Sequence, residues 1–331
     1  MSHVYENVFS LEKSFPLISE GSLYMLVREL VPKVLSKIQI QSTEPVIPTG
    51  FKTGFSDLDR LIGGFQPGEL IIVASRPSAG KTAFIQSIMV NQLEYIESCP
   101  SILLISLDTT IEHYIWRLLF TLSKINSSKI WNEGLDSVDL EVLRKSADML
   151  NKSSIHIINQ HRINIEKIRQ LVSEIKNKAD LDLIVIDSLQ MLGFGKGSDS
   201  DRNELDDVVF SLKNLAEIMG IPIVALTSLS RRLERRQNKE PMLTDLKGSS
   251  RIEDVADKIL LLHRPEIYDA DESTPGDTVV TMAKNKNGPT GMARLRFIGK
   301  YTRFFNFEIK KFPHDPNNNM ARKHIFLCKK F

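Results

Sequence analysis

The chain has 331 residues, 42% of them apolar and 25% charged, with a formal net charge of +2. That length suits one large α/β domain with appendages or two small domains, and no stretch reaches the apolar run that a bilayer span requires. Two cysteines, Cys99 and Cys328, lie far apart without metal-ligand spacing, and the start MSHVYENVFSLEKSF lacks a basic leader followed by a long apolar core. A reduced, cytoplasmic protein without a membrane segment is the simple inference.

In chain order, residues 1–20 read as an extension. Residues 21–40, GSLYMLVRELVPKVLSKIQI, carry helical patterning that Pro32 kinks or interrupts, and 42–50, STEPVIPTG, continue as an extended linker. A lone amphipathic helix on such a tether needs a surface to pack on, its own domain or a neighbouring copy.

At 70–82 the sequence LIIVASRPSAGKT runs an apolar strand straight into a small-residue loop that ends in Gly-Lys-Thr. Backbone N–H groups of such a loop and the positive end of the helix that follows form an anion site. Ser75, Arg76, Pro77, Ser78, Ala79 and Gly80 would wrap a triphosphate, Lys81 would reach its β and γ phosphates, and the Thr82 hydroxyl would ligate Mg²⁺. The full pattern asks for glycine five residues before Gly80, where this chain has Ser75, so an ordinary helix start stays open as the plainer reading.

Short runs rich in Ile, Val and Leu follow at 102–106, 155–158, 181–187, 221–227 and 258–262, the pattern of buried parallel strands. Amphipathic stretches separate them; at 164–179, Asn164 can cap a helix whose face carries Ile165, Ile168, Leu171, Val172 and Ile175. Shorter, closely spaced runs at 278–283, 293–298 and 303–307 suit antiparallel edge strands. Together these predict an α/β nucleotide-binding core, mainly parallel and flanked by helices, with a C-terminal antiparallel β extension. The Gly- and Ser-rich stretch 193–203 reads as a loop, either pore-facing or an idle connection, and Trp116 and Trp131 read as core residues. His113, His156 and His161 form no ligand set.

Asp187 stands at the carboxyl end of the apolar strand LDLIVID, where an open α/β sheet binds its ligand. There it would hold the metal of a bound nucleotide through water, although a turn-forming aspartate is the bland alternative. Asp108 ends ILLISLD; were that strand adjacent to the first, its carboxylate would face the γ phosphate and orient an attacking water. Charge is uneven too. Arg231, Arg232, Arg235, Arg236, Lys239, Lys247 and Arg251 oppose only Glu234, Glu240 and Asp245, and the tail 308–331 has six basic residues against two acids. Either stretch could be a solvated face.

Taken in order, PTGFKTGFSDLD, GGFQPGELIIVASRPSAGKT, ISLD, LIVIDSLQML, IPIVALTSLSRRLERR, LTDLKGSSRIEDVADKILLLHR, AKNKNGPTG and LRFIGKYTRFFNF resemble the DnaB-type replicative helicases with a RecA-like motor, over residues 46–307. The resemblance implies an ATP-dependent, Mg²⁺-using hexamer that moves 5′ to 3′ on single-stranded DNA. Residues 21–45 would be the linker helix that grips the next subunit, and 308–331 a basic tail. It matches Lys81, Thr82 and Asp187 to the nucleotide site, Lys284 to a lysine that reaches the neighbour's γ phosphate, and Lys247, Gly248 and Ser250 to a pore loop, beside Arg251, that holds the DNA backbone. Phosphates recur at regular spacing whatever the bases, so few aromatics there imply little sequence preference.

Three positions depart from that family. Asp108 replaces the catalytic glutamate, Ser228 replaces a glutamine that senses the γ phosphate, and Lys286 replaces the arginine finger, keeping charge but losing the planar fork. Fingers in related sites supply roughly a thousandfold or more, so turnover slower than the family norm is expected. A weakly or non-hydrolysing ring that regulates a full-length helicase is the alternative function. Residues 1–45 are shorter than the family's N-terminal collar domain, which reads either as a natural short form or as a fragment. Primase docking by that route is not expected, and a helicase loader is a further candidate partner.

Overall fold

The computed structural model describes residues 27, 31–32, 34–36, 50–95, 100–160, 163–192, 200–246, 250–268 and 274–307. Residues 1–47 and 48–331 form separate units. In the first, Val27, Val31, Pro32, Val34, Leu35 and Ser36 are helical on both sides of the proline, and the Ser36 hydroxyl donates to the Pro32 carbonyl at 2.9 Å. The rest of the expected linker helix, the Cys99 and Cys328 positions, most of the 193–203 loop and the basic tail lie outside the described residues.

In the second unit, the described residues contribute nine strands to one sheet: β1 (Leu70–Ser75), β2 (Ile102–Ser106), β3 (Ile155–Ile158), β4 (Leu183–Asp187), β5 (Ile223–Ser228), β6 (Lys258–His263), β7 (Asp277–Asn285), β8 (Gly291–Ile298) and β9 (Arg303–Asn306). Their order is β3-β2-β4-β5-β1-β6-β7-β8-β9, parallel through β6 and antiparallel after it. The described helices are α1 (Ser56–Ile62), α2 (Lys81–Tyr95), α3 (Ile111–Ser123), α4 (Lys129–Asn132), α5 (Ser137–Asn151), α6 (Ile165–Lys176), α7 (Ser200–Met219) and α8 (Ser250–Val255).

Strand β1 shows why its residues are continuously apolar. Leu70, Ile72 and Ala74 pack with α6, α7 and α8 on one face, while Ile71 and Val73 pack with α1, α2 and α3 on the other. A strand covered on both faces has no polar side, so period-two alternation vanishes. Strand β7 alternates buried and half-buried positions instead, as an edge extension with one packed face does. The α6 cap forms as expected: Asn164 Oδ1 accepts the Lys167 N–H at 2.9 Å.

Trp131 corrects an expectation. It is 79% exposed, because α4 is a single turn with no buried residue, whereas Trp116 is half-buried against Phe120 at a ring separation of 4.6 Å. Residues 200–203 belong to α7 rather than to the preceding loop.

Candidate nucleotide site

The loop between β1 and α2 is shaped by two residues with positive φ, Ser78 at 65° and Gly80 at 98°. Ser75, where the full motif has glycine, is instead the last residue of β1, fully buried and in parallel register with Ser228. Extended backbone there accepts any side chain, so serine fits without strain. Its hydroxyl donates to the Arg76 carbonyl at 2.9 Å, and the Lys81 ammonium reaches the Ser75 carbonyl and hydroxyl at 3.3 Å each. Lys81 thus lies back along the loop, as a phosphate-binding lysine must. The C-terminal strand braces the loop: a Cβ on Gly80 would stand 3.1 Å from Phe304 Cζ.

Strand β5 separates β1 from β4, yet Thr82 and Asp187 meet. The Thr82 hydroxyl donates to Asp187 Oδ2 at 2.7 Å. Burial raises the Asp187 carboxyl pKa, with Thr82 and Lys81 pulling it back down. Burial likewise lowers the Lys81 ammonium pKa, against Asp187 and Asp108. Both charges are under-compensated, which an entering polyanion and cation would correct. A hydroxyl and a buried carboxylate are hard oxygen donors that suit Mg²⁺ held mainly by phosphate oxygens and water. Among the described residues no group of three or more His, Cys, Asp or Glu could hold a metal unaided.

Asp108 is exposed in the turn after β2. The condition that its strand neighbours β1 is not met, since β2 lies between β3 and β4; strand order is a property of crossovers, which apolar runs do not record. The Asp108 charge nonetheless acts on both Lys81 and Asp187. Its turn is fixed by Asn159, which the sequence reading missed: Nδ2 donates to the Ser106 and Thr109 carbonyls at 2.8 and 2.7 Å. The Leu107 N–H donates to the Asp187 carbonyl at 2.6 Å, joining the two acidic turns. Half-buried Ser228 ends β5, in register with Ser75 of β1.

Lys284 and Lys286 sit near the amino ends of the parallel strands, opposite the end that carries the phosphate loop. Asn285 pairs with Lys258 and Lys258 with Ile71, four residues before the end of β1. At the rise of a strand that is about 13 Å from the phosphate loop, with two inter-strand spacings besides. Lys284 donates to the Glu253 carbonyl and, at 3.0 Å, to the Asp254 carbonyl. Lys286 donates to the Val255 carbonyl and pairs with Asp257 Oδ1, both at 3.3 Å. Burial, then the Lys286 charge, lowers the Lys284 pKa. Neither lysine can serve its own chain's phosphate loop.

Of the pore-loop residues, Lys247 and Gly248 lie outside the described residues. Ser250 opens α8, and Arg251 follows with an exposed side chain. The preceding basic stretch is partly neutralised internally: Arg236 pairs with Asp245 at 2.8 Å, and Glu234 pairs with Arg76 of the phosphate loop at 2.6 Å. A second feature missed from sequence is Arg264, whose guanidinium lies 4.0 Å from the centroid of the Phe297 ring. Phe297 packs at a tilt against Phe304, with ring centroids 4.8 Å apart, and Phe304 abuts Gly80. A planar cation on an aromatic face beside a phosphate loop is a surface suited to a nucleobase.

Among the described residues no helix is long and apolar enough to cross a membrane. Residues 50–306 match the family described as the DnaB-like helicase C-terminal domain. The replicative DNA helicase DnaC of Bacillus subtilis (strain 168) is 35% identical over 261 residues, 78% of this chain and 57% of that protein. The replicative DNA helicase DnaB of Geobacillus stearothermophilus is 33% identical over 283 residues, 85% of this chain and 62% of that protein. The chain therefore spans about three fifths of the length of these relatives. Among solved structures, one ATPase domain superposes with a TM-score of 0.79 at 30% identity, covering 88% of this chain and 100% of that one. A DnaB-like replicative helicase, solved in a study of its interactions with primase, gives a TM-score of 0.78 at 29% identity, covering 93% and 72%.

Proposed function

The chain belongs to the DnaB-like helicase C-terminal domain family, and from that premise we propose that it is a cytoplasmic, ATP-driven replicative DNA helicase, a homo-hexamer that encircles single-stranded DNA and travels 5′ to 3′. The observation that carries this reading is the divided site. The phosphate loop follows the carboxyl end of β1, whereas Lys284 and Lys286 lie level with the amino end of that strand, so a site holding both takes two protomers.

In the proposed cleft, the loop from Ser75 to Gly80 surrounds the triphosphate and Lys81 holds its β and γ phosphates. Thr82 and Asp187 would hold Mg²⁺, which when bound would supply positive charge to the phosphates. Asp108 orients the attacking water, Ser228 stands beside it, Arg264 and Phe297 receive the base, and the neighbour's Lys284 and Lys286 face the γ phosphate. Lys247, Gly248, Ser250 and Arg251 grip the DNA backbone without reading bases. The shorter Asp108 and the forkless Lys286 keep binding and slow the chemistry. A loader that opens the ring is a candidate partner; primase docking is not assigned.

DNA-stimulated ATP hydrolysis tests this, with Lys81→Ala as control and oligomer mass measured in parallel. Turnover abolished by Lys81→Ala in a six-membered species supports the motor. Nucleotide binding without turnover, or a species that stays monomeric with ATP and oligonucleotide, refutes it.

A further inference from the structure

We infer that Arg76 is a positioning residue through which the phosphate loop governs the segment 229–246, and with it the DNA loop that this segment leads into. The link to DNA rests on the proposed role of residues 247–250; the grip itself is a matter of geometry. Arg76 is the second residue of the phosphate loop, its side chain reaches the segment that follows β5, and only 10% of it is exposed. Nη1 donates to the Leu229 carbonyl at 2.7 Å, Nε donates to Glu234 Oε1 at 2.8 Å, and Nη2 lies 2.6 Å from the same oxygen. The Leu229 N–H in turn donates to the Ser75 carbonyl at 3.0 Å. Two consecutive phosphate-loop residues therefore hold both backbone polar atoms of Leu229.

From Leu229 the connection continues across a short antiparallel bridge. Leu229 pairs with Leu246, and the Ser230 N–H donates to the Asp245 carbonyl at 2.7 Å. Arg236 holds Asp245 Oδ2 at 2.8 Å and the Met242 N–H donates to the same oxygen at 2.9 Å, so both ends of the segment are tied together. Leu229 and Leu233 are buried in the core, which prevents the segment from sliding independently of its anchors. Lys247 follows directly in sequence.

This arrangement bears on Ser228. Where related chains are expected to carry a glutamine that senses the γ phosphate, a serine one residue before Leu229 has no comparable reach. The arginine grip gives the nucleotide another route to the same segment. A bound polyanion competes with Glu234 for the guanidinium, since arginine makes its strongest bonds as a fork to anionic oxygens. Occupancy of the cradle is thereby felt at Glu234 and Leu229 and carried to Leu246. Couplings between sites typically amount to about 5- to 150-fold, and the half-exposed Glu234 carboxylate places this one near the lower end.

Glu234→Gln removes the charge while keeping the shape, and Glu234→Asp serves as the conservative variant. Amide hydrogen exchange of the full chain is read with and without a non-hydrolysable ATP analogue and Mg²⁺. In the wild type, peptides covering 75–82 and 229–246 both change protection. In Glu234→Gln the 75–82 response persists, the 229–246 response falls about fivefold, and Glu234→Asp restores most of it. In the same variant, stimulation of turnover by single-stranded DNA falls by a similar factor while the unstimulated rate holds. Equal 229–246 responses in wild type and Glu234→Gln would overturn the inference and leave the proposed function standing. No 75–82 response in the wild type would instead remove nucleotide binding itself, and the inference with it.

Discussion

Gly80→Ala separates backbone strain from crowding at the phosphate loop. Its φ of 98° lies outside the wells that side-chain-bearing residues adopt at low cost, which is worth about 1–3 kcal/mol. The new methyl would also stand 3.1 Å from Cζ and 3.2 Å from Cε2 of Phe304. That ring cannot swing clear, because Phe84 lies edge-on at 5.9 Å and Phe297 is at 4.8 Å between centroids. Overpacking of this kind adds about 1 kcal/mol or more. The sum of about 2–4 kcal/mol falls on the loop, since the sheet beneath is fixed by nine paired strands among the described residues. Titration with a fluorescent nucleotide should show affinity reduced about 30-fold or more, with only a small drop in melting temperature. Phe304→Leu deletes both contacting atoms, so the double variant should recover the crowding part, about fivefold, and not the strain. Wild-type affinity in Gly80→Ala, or full recovery in the double variant, would refute the reasoning.

Asp108→Glu with Lys286→Arg should raise DNA-stimulated turnover at least about tenfold, given the roughly thousandfold worth of fingers in related sites; steady-state kinetics showing no rise would remove the account of slow chemistry. Under the divided-site reading, Lys81→Ala protomers fail in their own cleft and Lys284→Ala/Lys286→Ala protomers fail in their neighbour's. Mixing the two at varied ratios should therefore regain turnover that neither has alone, and mixtures no better than their parts would show that the lysines do not act across an interface. The pH prediction concerns Asp257. Burial opposes its ionisation, but Lys213 and the Leu70 N–H, each at 2.8 Å, outweigh it and hold the carboxyl below the ordinary aspartate range. A depressed carboxyl contributes stability above its unfolded pKa of about 3.9 and loses it as pH falls through the folded value. Denaturant midpoints should drop as pH falls below about 4 in the wild type, and the drop should be shallower in Asp257→Asn.

The parallel strands are legible because burial on both faces writes itself as unbroken apolar text, as in Leu70–Ser75 and Ile102–Ser106, while the terminal strand β3 is apolar but only half-buried. The phosphate loop was legible through Gly80-Lys81-Thr82, and its apparent defect was not one: the missing glycine falls on extended β1, while positive φ is met at Ser78 and Gly80. What could not be read is what joins distant residues. Periodicity says nothing of strand order, so the position of β2 away from β1 was invisible. Arg76 and Glu234 are 158 positions apart, and Asn159 supports a turn 50 to 53 positions away. Trp131 departs from the core expectation because composition makes a tryptophan look like core, while tertiary packing leaves every residue of its short helix unburied.

The positions expected to depart from the family pattern, Asp108, Ser228 and Lys286, share a physical property that the cradle residues lack. Asp108 and Lys286 are exposed and Ser228 is half-buried at a strand end, whereas Asp187 is buried and bonded to Thr82, and Lys81 is bound back to Ser75. Changing a cradle residue leaves a buried group without its partner, at about 1–3 kcal/mol for a neutral group and more for a charge. Changing Asp108 or Ser228 removes no such partner, and the buried Asp257 that Lys286 pairs with is also held by Lys213 and the Leu70 N–H. Rate can therefore be tuned at the rim while nucleotide binding stays tied to the fold.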